Sequence, residues 1–156
     1  MASRTPSMTT RDASVTSSRG TPPPSLRLRY TAWMMEMWPR TMAMLACYNQ
    51  ALADKFSYKV RRIVGQTSGL ADSKNLRDWG TANGSSLRAV GVGSGATGFG
   101  AHWLAIDDPI KNREEANSAA YRERVWDWWK DDLYTRLDPG ARVVLTVTSW
   151  HEDDLA

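Results

Sequence analysis

Two adjacent carboxylates, Asp107 and Asp108, follow the apolar stretch Trp103-Leu104-Ala105-Ile106 and precede Pro109. The apolar residues predict a buried strand, so the acids stand at its tip, where they need a cation or a water to act on. Paired acids in that setting can divide the work of phosphoanhydride hydrolysis. One holds Mg²⁺ and the next orients the attacking water.

A strand tip is a reactive position only if other elements complete the edge. After Asn112, which can cap a helix with Glu115 as its reciprocal partner, Trp126, Trp129, Leu133 and Leu137 lie along one helical face until Asp138-Pro139-Gly140 breaks the run. Arg142 to Thr148 is β-branched and strand-like. Strand, long helix and strand make a βαβ unit, which predicts parallel strands, a right-handed crossover and a three-layer α/β fold. Asp107, Asp108 and Thr148 then meet at the carboxyl edge, where open α/β sheets bind ligands.

Upstream, residues 1 to 25 are rich in Ser, Thr, Arg and Pro with almost nothing apolar, and they read as a disordered leader. Leu26, Tyr30, Trp33 and Met37 then recur at helical spacing and predict a helix burying that face, stopped by Pro39. Thr41 to Tyr48 reads as a buried strand, and Gln50 to Val64 as a helix with Gly65 as its C-cap. Residues 66 to 84 give no clear signal. Leu87 to Val92 alternates weakly, as a strand does, and leads into Gly91 to Gly100, where five glycines in ten residues predict a loop. That loop is not a phosphate-cradling P-loop, because no Lys-Ser or Lys-Thr follows it and the next element is a strand.

The chain has 156 residues, which suits one domain able to bury about two-thirds of its unfolded surface. Its net charge of +3 is uneven: residues 1 to 30 hold five arginines against one aspartate, leaving the remainder near −1 and without an evident phosphate-tracking stripe. Eight tryptophans read as core and interface anchors before they read as a base-stacking platform. Cys47, the single cysteine, lies in an apolar run and reads as a buried thiol in a reducing compartment. No apolar run approaches the roughly 20 residues that cross a bilayer. His151-Glu152-Asp153-Asp154 reads as a solvated turn, since it lacks the ligand spacing of a zinc site.

Ile106 to Ala116, Val125-Trp126-Asp127-Trp128, Thr135-Arg136-Leu137 and Thr148 to Leu155 occur in an order and spacing that resemble the large terminase subunit of tailed bacteriophages. The resemblance extends more weakly back to about Tyr30. It implies a partial P-loop NTPase fold of the ASCE type over residues 26–156, with a Walker B strand at 103–108 and a coupling-motif strand at 142–148. It also implies a DNA-packaging motor that uses ATP and Mg²⁺ to drive double-stranded DNA into a procapsid. The partners implied are the portal protein, the small terminase subunit and further copies in a ring, in the host cytoplasm and without a membrane.

By the same resemblance Asp107 binds the metal, Asp108 is the catalytic acid acting on water, and Thr148, Ser149 and Trp150 form the coupling motif. Ser149 replaces the family's usual Arg, and Phe99 stands where relatives often carry a basic residue. Pro22-Pro23-Pro24-Ser25-Leu26 occupies the place of the Walker A loop, and the first lysine is Lys55. Without a P-loop lysine the isolated chain is expected to be inactive, and nothing corresponds to the nuclease domain. Two other readings stay open, a non-catalytic truncated remnant and a Mg²⁺-binding α/β module that does not use ATP.

Overall fold

The computed structural model describes residues 13–15, 24–71, 75–153 and 155. Strand β1 (Ala13–Val15) is followed by helix α1 (Pro24–Met37), strand β2 (Met42–Cys47), helix α2 (Gln50–Thr67) and strands β3 (Asp78–Gly80), β4 (Ser86–Gly91) and β5 (Ala101–Asp107). Short helices α3 (Arg113–Asn117) and α4 (Ala119–Asp127) then lead through a π-helical turn, Trp128–Leu133, and a 3₁₀ turn, Tyr134–Arg136, into β6 (Leu137–Thr146). The sheet runs β1-β6-β5-β2-β4-β3, parallel throughout except for the β3–β4 pair. The parallel pairing expected of the βαβ unit is present, with Asp107 of β5 in register with Thr146 of β6.

Alternation along the central strands divides the core in two. Ala43, Leu45, Cys47, Trp103 and Ala105 face α1 and α2, whereas Met44, Ala46, Leu104 and Ile106 face the layer containing Val125, Trp128 and Leu133. Both faces of these strands are buried, which is why they read as continuous apolar runs.

Several local expectations are corrected. Of the leader expected to be disordered, Ala13–Val15 forms a strand paired with Val143–Leu145, and Pro24 and Ser25 already belong to α1; the rest of residues 1–23 lies outside the described residues. Helix α1 is rotated relative to the expected face. Leu28, Thr31, Ala32 and Met35 are buried, while Leu26, Tyr30, Trp33 and Met37 are exposed. The smaller set fits against the sheet, where the Trp103 indole N–H donates to the Thr31 hydroxyl at 3.2 Å.

Gly65 lies inside α2, which runs to Thr67. The Ser68 N–H closes the helix on the Val64 carbonyl at 2.9 Å, and Gly69 follows at φ +72°, the left-handed residue that ends helices. Residues 66 to 84, without clear signal, hold β3 and a bridge between Leu70 and Thr81.

The single long helix after Asn112 is instead broken, because the Ser118 hydroxyl accepts from the Tyr121 N–H and starts a new one. Asn112 does cap α3 through the Glu115 N–H, but the Glu115 carboxylate accepts from the Lys111 amide rather than from Asn112. Asp138-Pro139-Gly140 does not end a helix; it lies within β6, where the pairing jumps from Ala101–Leu137 to Trp103–Arg142 and Gly140 takes φ +82°. The expected strand bounds move accordingly, from 103–108 to Ala101–Asp107 and from 142–148 to Leu137–Thr146.

Candidate active site at the carboxyl edge of the sheet

Because β1, β6, β5, β2 and β4 are parallel, their carboxyl ends share one edge. Asn49 follows β2 there and caps α2 by accepting the Leu52 N–H at 2.8 Å. The glycine-rich segment leaves β4 at the same edge. Gly91 is required by close approach, since a Cβ at that position would lie 2.3 Å from the Gln50 nitrogen. Gln50 also accepts from the Gly91 N–H and donates to the Ala89 carbonyl, tying α2 to β4.

Asp107 closes β5 between Cys47 of β2 and Thr146 of β6. Its side chain is 6% exposed and faces α1, from which the Arg27 guanidinium brings Nη2 to 2.5 Å from Oδ1. Burial pushes the Asp107 carboxyl up to about 6; Arg27 pulls it down, and neighbouring Asp108 pushes it up. The ion pair is close but poorly aligned, so Asp107 Oδ1 and Arg27 Nη1 are both buried without a hydrogen bond meeting ordinary geometry. Cys47 is fully buried, and burial together with Asp107 raises its thiol well above the ordinary range.

Asp108 turns the chain sharply, with φ +40°. Its N–H donates to the Thr146 carbonyl at 2.9 Å, and its Oδ1 accepts from the Thr148 N–H at 2.7 Å. The acid pair and Thr148 therefore meet at one edge, as the sequence predicts. Thr148 lies two residues beyond β6 and is exposed, as is Ser149. Trp150 is half-buried against the core cluster that holds Leu104 and Ile106. Val147, Thr148 and Leu155 form one wall of a narrow crevice whose other side is Asp108, Pro109 and Ile110.

Phe99 stacks under the Arg88 guanidinium, 4.9 Å from the ring centroid. His151 Nδ1 accepts from the Asp153 N–H and closes a turn. Arg27 is the site residue that the sequence reading missed. No sequence signal marks it, because the contact with Asp107 arises only when α1 docks on the sheet. No helix among the described residues is long and apolar enough to cross a membrane.

A mostly parallel sheet with helices on both faces, and paired acids at the carboxyl end of a central strand, define a three-layer α/β fold with a candidate site at its carboxyl edge. Among solved structures the chain is similar to the large terminase ATPase domain of Thermus phage P74-26, with TM-score 0.57 and 10% identity over 94% of this chain and 64% of that one. An arginine-to-alanine mutant of the same domain matches with the same figures. The chain thus spans less than two-thirds of that domain, and at this identity the likeness is one of fold. No protein-family model and no curated protein matches the sequence.

Proposed function

We propose that the chain is the nucleotide-binding part of a large-terminase-like ATPase, in which ATP hydrolysis drives double-stranded DNA into a procapsid. The observation that carries this reading is the joining of Asp107-Asp108 at the tip of β5 to Thr148, two residues beyond the adjacent parallel strand β6, through the 2.7 Å bond from the Thr148 N–H to Asp108. The portal, the small subunit and further copies of the chain are its expected partners in that role.

Asp107 suits a divalent cation. Its Oδ1 is a buried hard oxygen lacking an aligned hydrogen bond, the donor type that Mg²⁺ accepts. When bound, Mg²⁺ supplies neutralisation of charge on the β- and γ-phosphate oxygens. Asp108 is held by one oxygen, which leaves the other to orient or deprotonate water. A positioned base of this kind contributes about 10²- to 10⁴-fold. Thr148 reports the state of that acid to the segment beyond β6, because the carboxylate cannot move without disturbing the amide it accepts from.

The sequence supplies no P-loop lysine, so turnover is expected to be slow and binding is the primary readout. Calorimetric titration with Mg·ATP should show saturable binding, and Asp107→Asn should weaken it at least about tenfold, as loss of a metal-site ligand does. Absence of binding at millimolar nucleotide, or Mg²⁺ binding that ATP leaves unchanged, would overturn the reading.

A further inference from the structure

The contact between Arg27 and Asp107 poses a problem for any cation at this site. Oδ1 of Asp107 is already 2.5 Å from a guanidinium nitrogen, and the side chains of Arg27 and Asp107 are 11% and 6% exposed. A divalent ion on the same oxygen would meet a positive charge at near-contact distance with little water between them, a strongly repulsive arrangement. Arg27 also keeps a buried Nη1 with no aligned acceptor. Such a donor is costly unless another state of the molecule gives it a partner.

We propose that Arg27 is an exchangeable cation: it rests on Asp107 when the site is empty, and moves to the triphosphate oxygens when that carboxylate takes a divalent ion. The inference depends on the ATP reading above and adds to it a residue and an order of events. Arg27 lies in the first turn of α1, at the edge to which β1 delivers the chain. Its planar fork can engage two phosphate oxygens and employ the unpartnered Nη1. The arrangement makes the site selective. Bare Mg²⁺ must evict the guanidinium with nothing to receive it, whereas Mg²⁺ carried by a triphosphate brings the new partner with it.

If Arg27 merely balances a buried acid, its removal should affect the metal and leave the phosphates indifferent. The two roles therefore differ in the sign of their effects. In Arg27→Met, Mn²⁺ alone, followed by electron paramagnetic resonance, should bind about tenfold tighter, while Mg·ATP should bind about 10- to 100-fold weaker, the worth of a hydrogen bond to a charged group. Arg27→Lys should hold Mg·ATP within about tenfold of the parent.

Asp107→Asn offers a second arm that does not remove the arginine. Free ATP in excess EDTA should bind this variant about tenfold tighter than the parent, because the guanidinium no longer has a carboxylate to leave. Wild-type protein that binds Mg·ATP, with Arg27→Met binding it equally, would overturn the exchange and leave the proposed function standing. No Mg·ATP binding by the wild type would overturn both. Should Arg27→Met fail to fold, the EDTA arm decides, and no gain in Asp107→Asn refutes the exchange.

Discussion

Asp108 sits at φ +40°, a region that Asp and Asn tolerate and β-branched residues do not. Asp108→Asn can keep both the backbone and the bond from the Thr148 N–H, so its unfolding free energy should stay within about 0.5 kcal/mol of the parent in urea titration. Asp108→Val should lose about 2 kcal/mol or more, from left-handed strain of about 1–2 kcal/mol and a forfeited hydrogen bond worth about 1 kcal/mol. Cys47 gives a second test at this scale. Burial raises its thiol, so the reactive thiolate stays unpopulated as pH rises through the ordinary thiol range. Ellman's reagent should label it at pH 9 no faster than the protein unfolds. The burial of Cys47 was legible in its apolar run, and the acid pair in its strand-tip setting. Arg27 was not, because its partner lies far along the chain and only the docking of α1 on the sheet brings them together.

At the scale of elements, α1 shows how periodicity can identify a helix and mistake its orientation. Leu26, Tyr30, Trp33 and Met37 repeat at helical spacing, but so do Leu28, Ala32 and Met35 on the opposite side. Two apolar stripes leave the choice to the sheet, where alanines 43 and 105 together with Trp103 receive the smaller stripe. Leu28→Ala should therefore cost about 2–5 kcal/mol, the range for emptying a core site. Trp33→Gln, at a position 43% exposed, should change stability by no more than about 0.5 kcal/mol. Thermal and urea unfolding of the two variants checks the orientation directly. The break at Ser118 was hidden for a related reason: its hydroxyl competes as a cap inside a stretch whose apolar periodicity runs on past it.

Across the whole molecule, the parallel sheet followed from the alternation of strands with helices, and the meeting of Asp107, Asp108 and Thr148 at one edge followed from it. The position of β1 did not, since Ala13-Ser14-Val15 carries no strand pattern of its own and gains its partner only from the open side of β6. That strand covers part of an edge which would otherwise present unpaired backbone groups. Removing residues 1–15 should increase self-association, seen as a concentration-dependent rise in mass by sedimentation velocity; an unchanged monomer would argue that the edge needs no cover. The bond from the Thr148 amide to Asp108 reaches further than the acid pair itself. It fastens the segment that carries Val147 and the buried Leu155 to the strand tip, so a ligand that draws the Asp108 carboxylate away must also free that amide. Faster deuterium uptake at this peptide hydrogen would then register occupancy of the acid pair at a distance, and tension applied to the tail beyond it would bias the carboxylate by the same free energy.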